Sequence, residues 1–114
     1  MSKFEKFNRS NVGGVIYALR TNDLKVGQGE LSEEVGVAQG SISKIENGSL
    51  ELGISLYYDI LKYFDLTSEE FSELVDKYIH ATLKMQKIKM AESKKKKLVS
   101  EEIANQAEKM RAAR

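Results

Sequence analysis

Gln39, Gly40, Ser43, Lys44 and Asn47 fall within the stretch GVAQGSISKIENG, residues 36–48. If residues 39–47 form a helix, its 3.6-residue period gathers these five on one side and turns Ile42 and Ile45 to the other. The first side then offers a carboxamide, bare backbone, a hydroxyl, an ammonium and a second carboxamide. None is a nucleophile with a base beside it. Their chemistry is hydrogen bonding, and their small bulk lets the helix come close to a partner. A segment built only for a core would carry more apolar volume. A face of this kind fits a groove lined with donors and acceptors, such as the major groove of DNA.

Covalent chemistry has little support elsewhere. The chain has no cysteine and a single histidine, His80. Zinc sites and thiol catalysis are therefore not expected. The many carboxylates are not paired with a histidine or a glycine-rich phosphate loop. We expect no enzyme, no cofactor and no metal. Net charge is +1, unevenly spread: residues 1–66 carry −2 and residues 67–114 carry +3. Nucleic-acid binding must therefore rest on local geometry, not on a basic footprint. No stretch is apolar enough for a signal peptide or a membrane span, and the absence of cysteine fits a reducing compartment. The expected location is the cytoplasm, with no membrane partner.

These residues must be positioned by helices. The 114 residues have no proline and an apolar fraction of 41%, which suits an all-α domain with an appendage. Residues 1–10 read as an arm, with Phe4 and Phe7 spaced to pack together on one helical turn. A first helix begins near Ser10 or Asn11 and carries Val12, Val15, Ile16 and Leu19; Gly13 and Gly14 weaken it but let another segment come near. A second runs from Gln28 to Val35, stopped by Gly36. The third spans Gln39 to Asn47, with Gly48 after it. The fourth covers Ile54 to Phe64, with Ile54, Tyr57, Tyr58, Leu61 and Phe64 as its apolar face. Thr67 and Glu70 form a capping box for the fifth. That helix is expected to run from Ser68 to about Ala91, a length on the order of 36 Å. A compact domain cannot cover all of it, so its distal half is bare, folded back or paired with another chain. The four lysines 94–97 favour a solvated bend, or else contact phosphates or an acidic partner. Ser100, Glu101 and Glu102 then look like a new helix start. His80 reads as a surface residue, and Met85 and Met90 as packing groups.

The segment GQGELSEEVGVAQGSISKIENG, residues 27–48, resembles the Cro/lambda-repressor-type, or XRE, helix-turn-helix family. The likeness extends over about residues 12–71, through ISLYYDILKYFDLTSEEF. It implies a compact five-helix lambda-repressor-like DNA-binding domain with a long C-terminal helical extension. In domain terms this gives an arm at 1–10, the DNA-binding domain at 11–75 and a dimerisation or partner-binding extension at 76–114. It also implies roles. Gln28 bonds a phosphate and braces Gln39, and Gln39 reads adenine. Gly40, Ser43 and Lys44 face the groove, Ser41 and Asn47 touch the backbone, and Glu46 is structural. Four departures from the family pattern stand out. The turn after Leu19 is one residue longer, Ala38 replaces a capping hydroxyl, Gly40 lacks a base-reading side chain, and the proline before the fourth helix is missing.

The resemblance implies a sequence-specific DNA-binding transcriptional regulator, a repressor, acting on operator DNA as a homodimer. Tyr78, Ile79, Thr82, Leu83, Met85, Gln86 and Met90 are the expected dimer surface. The alternative is an antitoxin or other protein-binding regulator whose C-terminal helices capture a partner.

Overall fold

The computed structural model describes residues 3–114, with side chains from residue 5 onward. Its elements are helices throughout the described residues: α1 (Lys3–Lys6), α2 (Arg9–Ala18), α3 (Gln28–Val35), α4 (Gln39–Glu46), α5 (Ile54–Phe64), α6 (Ser68–Met85) and α7 (Glu92–Ala112). A π-helical turn, Leu19–Leu24, continues α2. It is the long turn seen in the sequence. The backbone widens there into a π-helical turn, and Lys25 closes it in the left-handed region, with φ 57°.

Local signals set many of the boundaries. Helix α3 ends at Gly36 with φ 74°, and Thr67 and Glu70 form the reciprocal capping box at the head of α6. The first helix starts earlier than its periodicity predicts, because Asn8, not Ser10 or Asn11, caps it: the Asn8 side chain accepts from the Asn11 N–H. The N-terminal segment docks through charge. Lys6 donates to Ser72 at 2.9 Å and pairs with Asp76, both on α6. Phe7 is exposed, and the expected Phe4 contact lies outside the described side chains.

The core joins Val15, Ile16 and Leu19 of α2 and its π turn to Leu31, Ile42, Ile45, Ile60, Leu61, Phe64, Phe71, Leu74 and Val75. On α5 the buried stripe is Ile60, Leu61 and Phe64, whereas Ile54 and Tyr58 point to solvent, 68% and 56% exposed. The buried stripe is thus turned toward Ile60 and away from Ile54 and Tyr58, which the spacing predicts to be inward.

Two expectations about the C-terminal region are corrected. Helix α6 stops at Met85, not near Ala91, and residues 94–97 lie within α7 instead of forming a bend. Ser100 is buried in the middle of α7 and starts nothing. The reason is long-range packing. Val99, Ile103 and Ala107 recur at four-residue spacing, and all three are buried; Ile103 and Ala107 join the main core. Burying a large aliphatic side chain stabilises by about 1.5–3 kcal/mol. Lysine repulsion within a helix costs a few tenths of a kcal/mol per pair, so burial wins. Helix α7 therefore folds back across α6, α2 and the π turn. The radius of gyration, 13.4 Å, matches the ~13 Å of a packed chain of this size and rules out a projecting rod.

Polar clasps hold α7 down. Arg111 donates to both carboxylate oxygens of Asp23 on the π turn, at 3.0 and 2.6 Å, and to the Phe64 carbonyl. Arg114 pairs with Glu70 and Asp65. The Arg114 guanidinium, helped by the Thr67 N–H, holds the Glu70 carboxyl below the usual carboxylate range. Among the described residues no helix is long and apolar enough to cross a membrane.

Candidate nucleic-acid interface

Helix α4 divides as its spacing predicts. Ile42 and Ile45 are buried, while Gln39, Gly40, Lys44 and Asn47 are exposed and Ser41 and Ser43 are half-buried. Open space surrounds Gly40: a methyl group there would find no atom within 4 Å. The protein's own tail does not roof this position. At the front of α4, Ala38 provides no side-chain cap, and the Ser41 N–H turns back to the Ala38 carbonyl at 3.0 Å. The Gln39 carboxamide oxygen lies over Gly29 of α3, close enough that a side-chain carbon at Gly29 would sit 3.3 Å away. At the far end, the Asn47 side chain accepts from the Ser49 N–H at 2.9 Å and folds the exit turn.

The base of this helix is fixed by a buried ionic network. Arg20 meets Glu46 in a forked pair, Nε to Oε2 at 2.6 Å and a terminal nitrogen to Oε1 at 2.9 Å. The third arm of Arg20 donates to the Val26 carbonyl. Gln28 donates to Glu46 Oε1 at 3.0 Å, so its amide faces inward here instead of bracing Gln39. The side chains of Arg20 and Glu46 are 10% and 4% exposed. The network ties the π turn, α3 and α4 together. Glu46 was legible as structural. Arg20 was missed, although its place four residues after the buried Ile16 puts it on the inward face of the same helix.

Close approach between helices completes the frame. A side-chain carbon at Gly13 would overlap the carbonyl oxygen of Ile45, and one at Gly14 would overlap the ring of Tyr78. The paired glycines thus let α2 lie against the end of α4 on one side and against α6 on the other. Burial pushes the Tyr78 phenol above its ordinary pKa.

An exposed polar face on the second of two short helices, held by a buried network against the first, is the helix-turn-helix arrangement. Residues 16–71 match the helix-turn-helix family. The chain belongs to the Cro/lambda-repressor type of that family. Comparison with curated proteins and with solved structures gave no match.

In this helix-turn-helix protein the expected dimer stripe on α6 is divided. Tyr78 and Ile79 are half-buried against the core. Thr82, Met85 and Gln86 line a cavity of about 350 Å³ shared with Asn47 and with Lys95, Lys96 and Val99 of α7. Only Leu83 and Met90 remain as exposed apolar members. A second exposed apolar group, Phe7, Leu50, Ile54 and Tyr58, gathers beyond the end of α4, where Phe7, Leu50 and Ile54 line a groove with Arg9 and Glu51.

Proposed function

We propose that the protein is a sequence-specific transcriptional repressor that seats α4 in the major groove and binds its operator as a dimer. One observation carries the reading: the Gln39–Gly40–Ser43–Lys44–Asn47 side of α4 stays open while Ile42 and Ile45 anchor it. Gln39 is the adenine reader, through paired hydrogen bonds to the base edge. Gly40 allows close backbone approach, Ser43 and Lys44 face bases or phosphates, and Ser41 and Asn47 hold the sugar-phosphate strands, while Gln28, with its amide turned to Glu46, supports α4 from within. In a duplex selected from random sequence, Gln39→Ala is expected to weaken binding by about 1–3 kcal/mol and to relax the preference at one base pair. An unchanged selected sequence would remove Gln39 from this role.

A single helix reads few base pairs, so two half-sites require two copies. The group at Phe7, Leu50, Ile54 and Tyr58 is better suited to hold them than α6, because α7 covers much of the α6 stripe. Ile54→Asp with Tyr58→Asp is expected to give a monomer by mass in solution and to weaken operator binding at least tenfold. Leu83→Asp is expected to leave the mass unchanged; the reverse pattern would return the dimer contact to α6. Capture of a partner protein by the C-terminal helices has less support, since α7 uses its apolar side to cover the protein's own core.

A further inference from the structure

The positive charge of this protein is concentrated in one corner. Residues 84–97, where α6 ends and α7 begins, hold seven lysines and one glutamate. Their net charge is +6. With a chain total of +1, all the other residues together carry −5. Folding does not account for this placement. Lys94 and Lys95 lie in the first turn of α7, the positive end of its dipole, where cations are disfavoured. Consecutive lysines also repel one another. Lys95 reaches Glu92 only at 3.5 Å, and Lys96 lies over the Tyr17 ring. Lys87, Lys89, Lys94 and Lys97 are exposed.

The fold brings this corner next to the end of the recognition helix. Lys95 and Lys96 line the same cavity as Glu46, Asn47 and Gln86. The turn that follows α4, residues 48–53, has no basic residue and carries Glu51. A duplex seated on α4 would therefore find few cations on the turn beside that helix and a dense group of them on the α6–α7 corner. We propose that this corner is a second DNA contact, a sequence-independent clamp on the phosphates flanking the bases that α4 reads. It rests on the DNA reading of α4 but assigns a separate surface and a separate term in the affinity. Each phosphate neutralised by a lysine adds about 0.9 to the dependence of log K on log salt.

The test uses the full chain and a duplex selected by it. Lys87→Gln, Lys89→Gln, Lys94→Gln and Lys97→Gln are combined, which leaves the packed Lys95 and Lys96 in place. The slope of log K against log salt is expected to become less negative by about 2–4, with the selected sequence unchanged and the far-UV helical signal retained. The same four positions changed to arginine should restore the slope. If the glutamine variant binds the duplex with the parental slope, the clamp is overturned while the role of α4 stands. If the parental protein holds no selected duplex, both fall together. Should the corner bind phosphatidylglycerol vesicles while duplex affinity keeps its slope, the surface belongs to a membrane and the clamp is overturned.

Discussion

A chain cut after Ala91 is expected not to fold into a stable helix-turn-helix unit. The family match ends at residue 71, which invites a shorter domain, but the core does not end there. Ile103 and Ala107 are fully buried within the main cluster, and Val99 and Ala104 are nearly so. Val99 and Ile103 alone are worth about 1.5–3 kcal/mol each. Removing α7 also uncovers the faces of α2, the π turn and α6 on which it lies, and strips Arg111 from Asp23. A domain of this size has only about 5–15 kcal/mol in total. Residues 1–91 are expected to lose most of that and to show a broad, low-temperature transition or none by circular dichroism. A graded version is Ile103→Ala, which should lower stability in urea by about 2–5 kcal/mol. A cooperative 1–91 fragment melting with the parental chain would show that α7 is an appendage after all.

That outcome bears on what a sequence can disclose. The bounds of α3 and α5 were legible residue by residue, because the apolar period of each and the Gly36 stop of α3 act within a few positions. The open face of α4 was legible for the same reason: Ile42 and Ile45 fix its rotation. The end of α6 was not, since nothing in QKIKMA stops a helix; the chain reverses there because α7 has a surface to cover. Four lysines in a row argued for a bend on local grounds, and the burial of Val99 and Ile103 several residues later outweighed them. The basic corner had a visible composition, but its position beside Asn47 is a product of that same reversal. Likewise Arg20 shows in the sequence only as a charge on an apolar stripe. Its partner lies 26 residues away on α4.

That partner gives the largest effect expected of a single substitution. Glu46→Ala leaves the Arg20 guanidinium enclosed without its carboxylate and leaves the Gln28 amide without its acceptor. Breaking one member of a buried pair costs about 3–5 kcal/mol, mainly because the surviving charge is desolvated and unmatched. Replacing both members with apolar groups of similar size removes that penalty, so Arg20→Met combined with Glu46→Leu is expected to recover most of the lost stability in a urea titration. DNA binding should not recover with it. Glu46 is the last residue of α4, and its forked bond to Arg20 fixes the orientation of that helix on the π turn; a methionine and a leucine fill the space without setting an angle. The double variant should therefore fold and bind its selected duplex at least tenfold more weakly than the parent. Full recovery of both properties would reduce the ion pair to filler. A double variant no more stable than Glu46→Ala would mean that the pair itself, and not relief of a stranded charge, holds the helix-turn-helix together.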